Sequence, residues 1–171
     1  MDEDIAVNTP QTWEQRKFSD LVVRRSETSS SANIPKVEYE NIVSDEGKLN
    51  NDIALKLDSR KGIRFYPSDI LYGKLRPYLN NWLFPSFDGI AVGDFWVLNS
   101  KQQINPTFIY TLIQTSQYRS VANLSSGTKM PRSDWNTVSN TDFIVPIIEE
   151  EQKLIGCENK LITELIAANV R

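Results

Sequence analysis

Lys61, Arg64, Lys74 and Arg76 fall within eighteen residues that also carry Phe65, Tyr66, Tyr72 and Tyr78, with Asp69 as the only acid. Cations interleaved with aromatic rings suit a nucleic-acid surface, because the cations meet phosphates while planar and polar groups reach bases. The stretch holds no nucleophile–base pair, so it implies recognition rather than bond-making. A second candidate is the loop Ser126-Gly-Thr-Lys-Met-Pro-Arg132. It could offer backbone N–H groups, two hydroxyls and two cations to a phosphate or a base edge. Bland readings compete with both. Lys74 and Arg76 at period two would also suit a solvated strand edge, and the loop could be an ordinary helix-to-strand connection punctuated by Gly127 and Pro131.

Composition narrows the chemistry. The 171 residues contain no histidine and one cysteine, Cys157. Intrachain disulfides, the usual zinc sites, Ser-His-Asp and Cys-His catalysis and a histidine general base are all excluded. Gly73-Lys74 is followed by Leu75 and lacks the upstream glycine of a phosphate-binding loop. Asn105-Pro-Thr-Phe108 only superficially matches an amino-methyltransferase motif, and Glu46-Gly-Lys48 lacks the upstream residues of a metal-dependent nuclease. No catalytic residues, metal ligands or cofactor are therefore expected. The net charge is −3, yet residues 56–76 hold six cations against two acids, a local net of +4; distribution outweighs the total for DNA. The longest apolar run, Phe143 to Ile148, is far too short to span a bilayer. The acidic start, Met-Asp-Glu-Asp-Ile, is unlike a secretory signal and predicts a cytoplasmic protein.

The elements that must position these residues read as one α/β (α+β) domain with a helical appendage. Residues 1–12 are polar and expected to be flexible. Ordered structure begins at Trp13, with Trp13, Phe18 and Leu21 as core anchors. Ser26 to Asn33 should be an exposed loop. Strands are expected at Lys36–Ile42, Gly62–Phe65, Asp69–Leu75, Trp82–Phe84, Gly89–Val92 and Phe95–Leu98, with turns at Ser44–Gly47 and Pro85–Gly89. Asn105-Pro106 is a helix start, a second short helix spans about Ser116 to Asn123, and Asp142–Pro146 is a last strand. From Glu149 the chain reads as a helix of coiled-coil type. Its apolar stripe, Leu154, Ile155, Leu161, Ile162, Leu165 and Ile166, is interrupted by Gly156 and Glu158 and calls for a partner helix.

Taken together, several segments resemble the specificity (S) subunit of type I restriction–modification systems. They are Trp13-Glu-Gln-Arg-Lys-Phe18, Asp69-Ile-Leu-Tyr-Gly-Lys-Leu-Arg-Pro-Tyr78, Gly89-Ile-Ala-Val-Gly-Asp-Phe95, Ser126-Gly-Thr-Lys-Met-Pro-Arg132 with Trp135, and Val145-Pro-Ile-Ile-Glu-Glu-Glu-Gln-Lys153. Each is loose alone, and the order and spacing carry the likeness.

The resemblance implies a target recognition domain over residues 13–148, built on a small curved mixed sheet with flanking helices, and the start of a conserved spacer helix over 149–171. In such subunits two recognition domains each read one half of a split double-stranded DNA target. The helices between them dock methyltransferase (M) subunits, to which motor–nuclease (R) subunits join, and the S subunit itself is not catalytic. This chain holds one such domain, so it corresponds to a fragment or to a half-subunit that pairs with another S chain; a protein-interaction module that does not read DNA alone is the alternative. On this reading Arg64, Lys74, Arg76, Lys129 and Arg132 neutralise phosphates or reach guanine edges. Ser126, Gly127 and Thr128 present a recognition loop, and Tyr72 and Tyr78 are candidate base or sugar contacts.

Overall fold

A computed structural model of the chain describes residues 12–50, 53, 58–124 and 129–169, with side chains described through residue 162. It opens with β1 (Trp13–Lys17), the single helical turn α1 (Phe18–Leu21) and β2 (Val22–Arg24). Short strands follow: β3 (Thr28–Ser29), β4 (Lys36–Glu38), β5 (Ile42–Val43) and β6 (Lys48–Leu49). The middle of the chain forms β7 (Gly62–Phe65), β8 (Ile70–Gly73), β9 (Trp82–Leu83), β10 (Gly89–Val92) and β11 (Phe95–Ser100). Helices α2 (Pro106–Leu112), α3 (Ser116–Ala122) and α4 (Trp135–Ser139) precede β12 (Asp142–Pro146) and the long helix α5 (Glu149–Asn169).

Among the described residues these strands make two four-stranded sheets, in the orders β2-β11-β8-β9 and β3-β7-β10-β4, and two strand pairs, β1-β12 and β5-β6. The α+β class holds, with the strands divided among several small sheets. The second four-stranded sheet is mixed, since β10 runs parallel to β4 and antiparallel to β7.

Period-two alternation explains how β8 and β11 can be apolar throughout. Ile70, Tyr72, Trp82, Trp96 and Leu98 pack with the helices, around Phe18, Phe108, Ile109, Tyr118 and Phe143. The alternate residues Leu71, Leu83, Phe95 and Val97 pack with Val37, Phe65 and Ala91 of the other sheet. The β2-β11-β8-β9 sheet is thus covered on both faces.

Several expected elements shift for identifiable reasons. The strand expected over Lys36–Ile42 breaks at a 3-10 turn, Tyr39–Asn41, capped reciprocally by Glu38 and Asn41. β8 ends at Gly73 instead of Leu75, so Lys74 and Arg76 do not share a strand face. Trp13 is not a core anchor: it is 36% exposed on β1, and its indole N–H donates to Glu151 Oε1 at 2.9 Å. α4 was not foreseen, although Asp134 caps it by accepting from the backbone N–H groups of Asn136 and Thr137.

Asp69 sits where the chain leaves β7 and enters β8. Its carboxylate is fully buried and accepts from Arg25 Nε at 2.6 Å, Tyr66 N at 2.8 Å and Asn99 Nδ2 at 2.9 Å. The turn between the sheets, the residue after β2 and β11 are thereby held by one side chain. A buried carboxylate is tolerable only with such partners. Asp69→Ala should therefore lower stability by at least about 3 kcal/mol, read as the change in urea midpoint at unchanged slope; a loss below about 1 kcal/mol would show that the turn holds without it.

α5 is locked to the domain through the two positions that interrupt its apolar stripe or look incidental to it. Gln152, 1% exposed, donates to Pro146 O at 2.9 Å and accepts from Asn105 N at 2.8 Å. One turn later, a side chain at Gly156 would run into Thr107 of α2. Ile155 packs against the helix-side core. Leu154, Leu161 and Ile162 point away from it, at 63%, 57% and 55% exposure. The expected stripe is therefore split between an inner and an outer face; the side chains of Leu165 and Ile166 lie outside the described residues. Among the described residues no helix is long and apolar enough to cross a membrane.

Candidate nucleic-acid interface

Immediately after Gly73 the chain meets the end of the 126–132 loop. Arg76 N donates to Pro131 O at 2.7 Å and Ser133 N donates to Lys74 O at 2.8 Å, and Leu75 and Arg132 face each other as an antiparallel bridge. The turn between β10 and β11 closes the group: Lys74 N donates to Asp94 O at 2.9 Å. Three segments far apart in sequence thus form one ledge at the end of β8.

Its geometry follows from local constraints. Gly73 has no room for a side chain, since a Cβ there would lie 2.5 Å from the Tyr39 hydroxyl oxygen and 2.7 Å from Cζ. The Tyr39 ring packs on Phe95, 5.2 Å between centroids, and its hydroxyl donates to Leu75 O. Burial is the main cause that pushes this hydroxyl well above the ordinary tyrosine range. Arg76 takes the left-handed conformation, φ 47° and ψ 64°, and leads into the 3-10 turn Pro77–Leu79. Proline at the first position of that turn is pre-set for it. Tyr78 is consequently displayed, 57% exposed. On the other side Ser133, 6% exposed, donates through Oγ to Ala122 O at 2.8 Å and anchors the loop on α3.

The structure brings together Lys74, Arg76, Tyr78 and Arg132, with Lys129 two residues before Pro131 in the same loop. Lys129, Arg76 and Arg132 are exposed and Lys74 is half-buried. Ser126, Gly127 and Thr128 lie outside the described residues. Two expected contacts do not join the group. Tyr72 is 2% exposed, stacked on Trp96 at 5.5 Å and edge-on to Tyr118 at 5.5 Å; it is a core residue in place of the expected base or sugar contact. Burial raises its hydroxyl to about 12. Arg64 lies beyond the other end of β8, roughly 13 Å of strand away. Its guanidinium pairs with Asp88 at 2.5 Å, donates to Gly89 O and lies over Tyr66 at 5.0 Å, so it latches β7 to β10 and is not a free cation.

The sequence reading missed Asp94 and Arg119. Asp94 receives the Arg132 guanidinium on both carboxylate oxygens, each at 3.2 Å. Arg119 is exposed on α3, which packs against the Pro77–Leu79 turn. Lone charged residues on a turn and a helix carry no motif that could have signalled them.

The Tyr39 contact is testable. Tyr39→Phe keeps the ring but leaves Leu75 O without its donor, and should cost about 0.5–1.5 kcal/mol. Gly73→Ala must displace the ring and should cost more, about 1–3 kcal/mol. Thermal or urea melts would show this order; a neutral Gly73→Ala would contradict the tight contact.

No protein-family profile matches the chain. It is 25% identical over 152 residues to the type I restriction enzyme EcoDI specificity subunit of Escherichia coli, covering 85% of this chain and 34% of that one. Its fold is similar to the HsdS subunit of Thermoanaerobacter tengcongensis, with a TM-score of 0.71 at 20% identity over 95% of this chain and 44% of that chain. It is also similar to the type I system S subunit of M. genitalium, with a TM-score of 0.60 at 13% identity over 96% and 42%. The chain spans about a third of the length of its curated relative. The resemblance to part of a type I specificity subunit is thus seen in sequence and in fold.

Proposed function

We propose that this chain is a non-catalytic, sequence-specific recognition module for double-stranded DNA, acting as a single target recognition domain that reads one half of a bipartite site. The observation that carries the reading is the ledge at the end of β8. It gathers Lys74, Arg76 and Lys129, whose charged groups have no ion-pair partner among the described residues, beside exposed Tyr78 and Met130. Unpaired cations around a displayed ring suit a phosphate backbone with a groove beside it. The likeness to specificity subunits supports the same assignment, and with it a cytoplasmic setting with no cofactor. M subunits, R subunits joined through M, and a second S half-subunit, which could be a second copy of this chain, are its proposed partners.

The outer face of α5 supports a second role within this reading. Leu154, Leu161 and Ile162 are exposed, and a helix with unburied apolar side chains gains by packing against another. We assign this face to subunit packing. The interaction-only alternative predicts that the chain assembles but never binds duplex.

Fluorescence anisotropy with a labelled duplex, at low and physiological salt, separates the two. Affinity should fall with salt at a log–log slope of about −0.9 per phosphate contact. Replacing Lys74 and Arg76 by alanine should reduce that slope by about two contacts. An unchanged slope would remove the ledge from the interface, and no duplex binding at either salt would favour the interaction-only reading.

A further inference from the structure

The structure divides the ledge cations into two kinds. Lys74, Arg76 and Lys129 have no ion-pair partner among the described residues, whereas Arg132 is forked onto Asp94 through Nε and Nη2, at 3.2 Å each. Asp94 is itself fixed. Its carbonyl accepts from Lys74 N at 2.9 Å, and it follows Gly93, whose φ of +102° turns β10 into β11. A guanidinium held side-on keeps its end-on edge, Nη1 and the outer hydrogen of Nη2. That edge has no protein partner among the described residues, and the side chain is 49% exposed.

Two parallel N–H groups in a fixed plane match the O6 and N7 acceptors of guanine in the major groove. They are poorly suited to a phosphate here, because the Asp94 carboxylate lies beside any anion that approaches and the pair carries no net charge. Counterion release follows net neutralisation of phosphates, so a pre-neutralised arginine contributes little to salt-dependent affinity. What remains to it is directional hydrogen bonding. Lysine could not replace it, since an ammonium lacks the fork.

We propose that Arg132 is a base-reading residue that selects a guanine, with Asp94 as the positioning residue that aims it, while Lys74, Arg76 and Lys129 supply the sequence-independent phosphate contacts. The assignment rests on the DNA-recognition reading above and divides that surface into a part that holds DNA and a part that chooses it.

Selection of bound duplexes from a randomised double-stranded pool tests it, run with the full chain and with R132A, R132K and D94N. The unmodified chain should enrich guanine at one position. R132A and R132K should both lose that preference, by roughly tenfold or more in discrimination, and R132K, which keeps a cation beside Asp94, should leave the salt slope on a fixed duplex unchanged. D94N should weaken the guanine preference yet bind arbitrary duplexes more tightly, since one anion has left the surface. The backbone bonds of the ledge do not involve these side chains, and R132K should melt at the temperature of the unmodified chain. The proposal is overturned if R132K keeps the preference, or if R132A weakens every sequence equally and lowers the slope by about one contact. Enrichment of no duplex by any of the four proteins would instead sink the DNA-recognition reading beneath it.

Discussion

The buried carboxylate of Asp69 is the constraint on which the arrangement turns. It lies where the chain crosses from one four-stranded sheet to the other, and its oxygens are met by Arg25, Tyr66 N and Asn99. Each donor belongs to a different part of the fold, so the acid sets three segments at once. β8 starts from this point and runs between β11 and β9 with both faces buried. The far end of such a strand has little freedom. The local contacts that shape Lys74 to Tyr78 are therefore made at the end of a strand whose start is already fixed by Asp69.

Elements whose identity rests on local chemistry were legible in the sequence. Asn105 and Pro106 announce α2, and Asn105 does accept from Thr107 N as a cap should. The strands at Gly62–Phe65, Gly89–Val92 and Asp142–Pro146 follow from alternation between turn residues. What the sequence does not encode locally is which sheet a strand joins. Nothing in Gly62–Phe65 says that it pairs with β10 while β8, five residues on, pairs with β11. For the candidate site, the two basic motifs were visible as residues but their meeting was not. It depends on backbone bonds between positions more than fifty residues apart. Tyr72 was misassigned for a related reason: a tyrosine next to a basic motif looks available until the second covering layer, with Trp96 and Tyr118, is known.

The long helix makes the same point in reverse. Read as a heptad pattern, Gly156 is a flaw in an apolar stripe and Gln152 a polar residue of no consequence. In the fold they are the contact. Gln152 satisfies the N–H of Asn105, the residue that caps α2, and a carbonyl at the end of β12, and the missing side chain of Gly156 lets α5 lie against Thr107. Leu154, Leu161 and Ile162 then face away. Gln152 and Gly156, with Ile155, mark where the helix is held, and Leu154, Leu161 and Ile162 mark the face it leaves exposed.

The ledge is joined almost entirely by main-chain atoms, and this fixes which substitutions it can absorb over evolutionary time. Residues 76 and 133 must each give an N–H, so proline is the residue that neither can become. Position 131 contributes only a carbonyl, which proline has, and position 76 favours residues at ease in the left-handed region. Nothing in these bonds restricts the side chain at 129, 130 or 132. A lineage could therefore rewrite the exposed side chains of this loop one residue at a time without disturbing the mount on which they sit.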